Sequence, residues 1–190
     1  MTNSYNDIHN SKAMLVIGGN PAEAHPVSLL HLFKAKEQGA KLLVIDPRYT
    51  RTAAHADHFV RIRPGTDVPI TWGMMWHIFQ NGWEDKEFIH QRVWGMDDIK
   101  KEVANWTPDV VYDVTGVREE LVYQAAKMMA DNRPSTFIWC MGGTQHTIGN
   151  NNTRAYCNFQ LALGNMGKSG GGTNIFRGHD NVQGATDFCI

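Results

Sequence analysis

A bias toward charge of one sign is missing from this sequence: 18 lysines and arginines stand against 19 aspartates and glutamates, a net charge of -1. Such a balance gives no bulk field to attract nucleic acid or an anionic membrane, and no stretch reads as a basic groove. Long apolar runs are missing too. The longest, Ala13–Ile17 and residues 42–45, are strand-sized against the ~20 residues a membrane helix needs. Residues 1–10 are polar and include Asp7, unlike a secretory signal. Cysteine is scarce: Cys140, Cys157 and Cys189 are odd in number and far apart. They form neither a Cys-x-x-Cys pair nor a disulfide framework, and each reads as a buried free thiol. No metal or iron–sulfur site is legible in the chain. Two nucleotide signatures are also absent. The first apolar run continues as Gly18-Gly19-Asn20-Pro21-Ala22-Glu23, which is not a Gly-x-Gly-x-x-Gly turn, and there is no Gly-x-x-x-x-Gly-Lys-Ser/Thr loop.

What is present argues for a packed globule. Apolar residues make up 42% of the 190 positions, with six tryptophans and eight phenylalanines, enough to bury a core in one continuous domain spanning 1–190. The first half alternates strand and helix. Ala13–Ile17 reads as a strand stopping at Gly18-Gly19-Asn20-Pro21, and apolar spacing predicts a helix over 27–38, closed by Gly39. Strands are expected at 41–45 and 59–63, making a right-handed βαβ unit with a parallel pair. Helices are expected at 67–81, with Ile70, Met74, Trp76, His77 and Ile78 on a buried stripe, and at 85–93, 97–103 and 117–130. A strand at 135–140, a helix at 152–164 and a glycine-rich stretch at 164–172 follow. This order of elements predicts an α/β fold: a Rossmann-like parallel sheet flanked by helices.

Four of the expected strands end in turn-forming or polar clusters: Gly18-Gly19-Asn20, Asp46-Pro47-Arg48, Pro64-Gly65-Thr66-Asp67 and Met141-Gly142-Gly143. In open parallel sheets, ligands sit beyond the carboxyl ends of the strands. Glycines there let backbone approach a phosphate, Asp46 can accept from ribose hydroxyls, and Asp67 can accept from the N–H edge of a purine. Arg48 can pair with phosphate or stack on a base. Each cluster alone is equally an ordinary turn or helix cap. Together, the four point to a nucleotide-bearing ligand.

Read in order, these clusters resemble the molybdopterin oxidoreductases, and among them the formate dehydrogenases. The resemblance covers essentially the whole chain. It is carried by Gly19-Asn20-Pro21-Ala22-Glu23-Ala24-His25-Pro26, by Val44-Ile45-Asp46-Pro47-Arg48 with Thr52-Ala53, by Pro64-Gly65-Thr66-Asp67, by Met141-Gly142-Gly143-Thr144-Gln145-His146, by Leu163-Gly164-Asn165-Met166-Gly167, and by the run from Arg177 through Gly178 and His179 to Gly184. The resemblance implies that Asn20, Glu23, Ala24, Ile45, Asp46 and Arg48 line one pterin–guanine dinucleotide. It implies that Gly65 and Asp67 meet its nucleotide end, that Met141, Gly142 and Gln145 approach the metal-proximal pterin, and that Gly178 belongs with them. It assigns Arg177 and His179 to catalysis. Arg177 would hold formate's carboxylate beside the metal through paired charge-assisted hydrogen bonds, and His179 would serve as polar orienter or proton acceptor. His55 and His58 lack a zinc-site pattern and read as surface or cap residues. His25 and His146 read as turn-positioning, and the tryptophans as core.

By the same resemblance the chain is an internal piece of a larger catalytic subunit, a domain binding bis-molybdopterin guanine dinucleotide with Mo or W. A 4Fe-4S segment and a cysteine or selenocysteine metal ligand are expected before Met1, a second pterin domain after residue 190, and negligible activity from the chain alone. Expected partners are formate, the rest of the subunit and an iron–sulfur electron-transfer subunit. The expected parent is a periplasmic or membrane-associated respiratory enzyme, with a cytoplasmic one as the alternative. Rival readings are a nitrate or sulfur-compound reductase of the same superfamily, and a non-catalytic nucleotide-binding or assembly domain.

Overall fold

The computed structural model describes residues 1–179 and 182–189; Asp180 and Asn181, within the motif that begins at Arg177, lie outside the described residues, as does Ile190. Among the described residues, five strands form one sheet: β1 (Ala13–Ile17), β2 (Lys41–Ile45), β3 (His58–Val60), β4 (Ser135–Trp139) and β5 (Thr173–Ile175). Their order is β3-β2-β1-β4-β5, and every pairing is parallel. Central strands of such a sheet are covered on both faces, so they read as continuous rather than alternating apolar runs. All five residues of β1 are buried.

The two faces carry separate cores. Leu15, Ile17, Leu43, Ile45, Phe137 and Trp139 point to one side, where α3 (Asp67–Gln80), α5 (Met96–Val103), α6 (Pro108–Thr115), α7 (Glu119–Asp131) and α9 (Gly149–Ala162) contribute apolar residues. Met14, Val16, Leu42, Val44 and Ile138 point to the other, against Ile8 of a 3-10 turn at Tyr5–Asn10 and Leu32 and Ala35 of α2 (Leu29–Glu37). Each fully buried aliphatic side chain contributes about 1.5–3 kcal/mol relative to exposure. Shorter helices are α1 (Pro21–Ala24), α4 (Lys86–Arg92), α8 (Met141–Thr144) and α10 (Val182–Asp187). No helix among the described residues is long and apolar enough to cross a membrane.

Several expectations need correction. The third strand stops at Val60 instead of running to Arg63, because Val60 pairs with Ile45, where β2 itself ends. Beyond it, Arg61 donates to the Pro47 carbonyl at 3.0 Å and the Arg63 amide to Thr115 at 3.2 Å. The helix expected over 27–38 opens as a 3-10 turn at Pro26–Ser28, and the one expected over 152–164 runs from Gly149 to Ala162. Helix α6 and strand β5 were not anticipated; α6 has Pro108 at its start and a left-handed Gly116 at its end. Trp94 is 98% exposed, unlike the core Trp72 and Trp139, and Trp76 is only half-buried. The thiols are free, but Cys140 and Cys157 are half-buried and Cys189 is exposed.

The segment Leu163–Gly167 has a structural task. Asn165, fully buried, accepts from the Ser135 amide at 3.1 Å and donates to Ser135 Oγ at 2.8 Å. Gln160 donates to the carbonyls of Ser135 and Gly172, at 2.7 and 2.6 Å. This buried network fixes the return loop that delivers β5, and with it Arg177, to the edge of the sheet.

Candidate functional site

The strand order reverses between β1 and β4, and a cleft of about 360 Å³ opens there at the carboxyl ends. That is where open α/β sheets hold ligands, and the volume falls within the ~300–1,000 Å³ of small-molecule sites. All four strand-end clusters meet in it. Gly18, Gly19 and Asn20 follow β1, Asp46, Pro47 and Arg48 follow β2, Pro64, Gly65 and Asp67 follow β3, and Met141 and Gly142 follow β4.

Two carboxylates among these lining residues are buried. Asp46 is 8% exposed and Asp67 is 4% exposed. Burial pushes both up from the usual carboxylate range, opposed at Asp46 by the Arg48 amide, 2.8 Å from Oδ1, and at Asp67 by the Tyr156 hydroxyl, 2.8 Å from Oδ1. The Asp67 charge adds to the rise at Asp46. Acceptors held in this way suit a ligand that presents N–H or O–H donors, and the exposed Arg48 at the rim suits an anionic group. A nucleotide offers both.

The glycines divide by role. A Cβ on Gly18 would lie 2.5 Å from the Gly143 nitrogen, and one on Gly142 would collide with the Gly18 carbonyl. These two glycines let the β1 and β4 loops touch each other across the reversal point. Gly65, at φ +81°, has nothing within 4 Å of its added Cβ, so its freedom serves the turn alone.

Arg177, Gly178 and His179 line a second cavity of about 480 Å³, with Met1, Tyr5, Ala24, His25 and Ile175. Arg177 is half-buried and donates to Gln183 Oε1 at 2.8 Å, while His179 is exposed. Met141 of the cleft lies close to Gly178 of the second cavity, its sulfur 3.6 Å from where a Gly178 Cβ would be.

Other residues singled out by sequence have partners of their own, and only Asn20 and His146 of these line the cleft. Asn20 Oδ1 accepts from the Thr52 hydroxyl at 2.8 Å, tying the β1 and β2 loops together. Glu23 is exposed and pairs with Arg51 at 3.4 Å. Ile45 is 1% exposed and packs in the core beneath the cleft, and Gln145 is exposed beyond both linings. His146 lines the cleft and bonds the Gly142 carbonyl at 2.6 Å; His55 is exposed, and His58 bonds the Leu121 carbonyl at 3.2 Å. Sequence reasoning read Cys140 only as a buried thiol and passed over Tyr156. Cys140 directly follows β4 and lines the cleft, a place the strand-end rule indicates. Tyr156 sits on the buried face of α9 with Asn152, Phe159 and Gln160, but its partner lies 89 residues away. Among the described residues no three His, Cys, Asp or Glu side chains gather as a metal site.

A family model described as Molybdopterin oxidoreductase matches residues 1–188. The chain is 40% identical over 188 residues to F420-dependent formate dehydrogenase 1 subunit alpha of Methanococcus maripaludis, covering 99% of this chain and 28% of that protein. It is 37% identical to formate dehydrogenase H of Escherichia coli, over 99% of this chain and 26% of that protein. Among solved structures, acetylene hydratase from Pelobacter acetylenicus matches with a TM-score of 0.76 and 28% identity, over 85% of this chain and 24% of that one. The chain thus spans about a quarter of the length of these relatives.

Proposed function

The chain belongs to the molybdopterin oxidoreductase family, and from that premise we propose that it forms the nucleotide-holding part of a formate dehydrogenase catalytic subunit. The family implies a molybdopterin cofactor; its guanine dinucleotide form, with Mo or W, is the form this reading assigns to the cleft. The observation that carries this reading is the convergence of four strand-end loops on one cleft with two buried carboxylates. Guanine presents its N1–H and N2–H side by side, a donor pair that one carboxylate accepts in full. Asp67 takes that role, Asp46 accepts from ribose hydroxyls, and Arg48 meets phosphate. Met141 and Gly142 face the pterin end.

In this reading Arg177 holds formate by its guanidinium fork and draws the anion in by charge. His179 orients the substrate or accepts the proton released as the C–H bond breaks and carbon dioxide leaves. The bound metal–pterin group supplies the two-electron redox chemistry. An iron–sulfur cluster and an electron-transfer subunit, both expected outside this chain, would accept the two electrons. Formate-dependent dye reduction by the subunit carrying this sequence, matured with metal and pterin, tests the proposal. Activity is expected. Metal and pterin without formate oxidation would assign the chain to a different chemistry within the family, as its likeness to an acetylene hydratase illustrates.

A further inference from the structure

We infer that His25 is a positioning residue that clamps the backbone of Arg177, tying the substrate-binding arginine to the loop that holds the cofactor. The inference rests on the formate-binding role proposed for Arg177. After β5 the chain is gripped at two successive carbonyls. Cys140 Sγ donates to the Phe176 carbonyl at 2.7 Å, and His25 Nε2 meets the Arg177 carbonyl at 2.5 Å. The Phe176 ring, 1% exposed, is wedged between Tyr5 and His25, with centroids 4.9 and 5.6 Å away. The grips come from different loops. His25 ends the segment that starts at Gly18-Gly19-Asn20, and Cys140 precedes Met141-Gly142, so both belong to loops that line the cleft. Among the described residues the Arg177 side chain donates to Gln183 Oε1 at 2.8 Å. Its guanidinium extends from a backbone that His25 holds at the carbonyl, so the clamp sets where that side chain begins.

The His25 ring is not needed for its own turn. Its amide donates to the Pro21 carbonyl at 2.9 Å, and its carbonyl accepts from the Ser28 amide and hydroxyl at 2.9 and 2.6 Å. All three bonds use His25 backbone and survive removal of the ring. The ring reaches 152 residues along the chain instead. A carbonyl is an acceptor only, so Nε2 must carry the proton and a neutral ring leaves Nδ1 bare. Glutamine places an amide N–H near the position of Nε2 and should replace the clamp; alanine should not.

The test uses the isotope-labelled 190-residue chain. Histidine nitrogen NMR should show His25 protonated at Nε2. Hydrogen exchange of the amides of residues 176–179 should accelerate in His25→Ala and return toward the parent rate in His25→Gln. In the matured subunit carrying this sequence, KM for formate should rise about tenfold or more in His25→Ala, as a binding group misplaced by ~1 Å would require. It should recover in His25→Gln. A bare Nε2, or unchanged exchange in His25→Ala, overturns the clamp whatever the protein does with formate. An intact clamp signature in a matured subunit that does not oxidise formate overturns the formate role and leaves the clamp standing.

Discussion

The Tyr156 hydroxyl donates to the Asp67 carboxylate across 2.8 Å, joining the middle of α9 to the first turn of α3 beneath the cleft. Burial, reinforced by the Asp67 charge, pushes the tyrosine far above its ordinary range, so it remains a donor at any working pH. Tyr156→Phe should therefore leave a buried carboxylate without this partner and cost about 1–3 kcal/mol. Urea denaturation should show the loss largest at pH 7 and smaller in mild acid, where Asp67 takes up a proton. An equal loss at both would mean that packing, not the hydrogen bond, is what the hydroxyl supplies.

Asp67→Asn tests the charge alone, since an amide oxygen still accepts from Tyr156. Burial raises Asp46 and Asp67 in the folded chain. The folded state therefore binds more protons than the unfolded one between the ordinary carboxylate pKa and the raised value. Stability must fall as pH rises through that window. The variant should flatten the slope between mild acid and neutrality. Asp7 acts in the opposite sense: burial alone would raise it, but Ser169, Asn3, Asn10 and the Gly170 amide hold it well below the usual range. Its stabilisation is present above the ordinary carboxylate pKa and is lost as pH falls below it, so Asp7→Asn should blunt acid unfolding.

The sheet was legible because each central strand carries an apolar run of three to five residues followed by a turn cluster. The cleft was legible because the clusters all fall at carboxyl ends, which parallel strands bring to one side. Three features were not. Strand β5 is Thr173-Asn174-Ile175, without an apolar run, and exists because the Asn165 and Gln160 network holds its loop. The stop at Val60 depends on where β2 ends, a pairing fact rather than a local one. The Tyr156–Asp67 and His25–Arg177 bonds span 89 and 152 residues, a distance at which spacing carries no information.

Gly142→Ala and Gly65→Ala should separate close approach from turn geometry. The first drives a methyl into the Gly18 carbonyl and backbone on both sides would have to move. The second has open space and meets only the cost of a left-handed residue, about 1–2 kcal/mol. Thermal melts should show a much larger fall for Gly142→Ala. Similar falls would mean that the loops relax apart freely.

Arg177→Lys replaces a planar fork with a point charge. In the matured subunit it should raise KM for formate and lower kcat together, by about tenfold or more in kcat/KM. An unchanged kcat/KM would remove Arg177 from the substrate site.

The most direct test of the central claim is a calorimetric titration of GDP and of ADP into the 190-residue chain. Adenine turns a bare ring nitrogen toward the position where guanine offers N1–H, so it loses a charge-assisted bond to Asp67. The account predicts that GDP binds, that ADP binds about tenfold or more weakly, and that Asp67→Ala abolishes the difference. Equal binding of the two, or binding of neither, would contradict it.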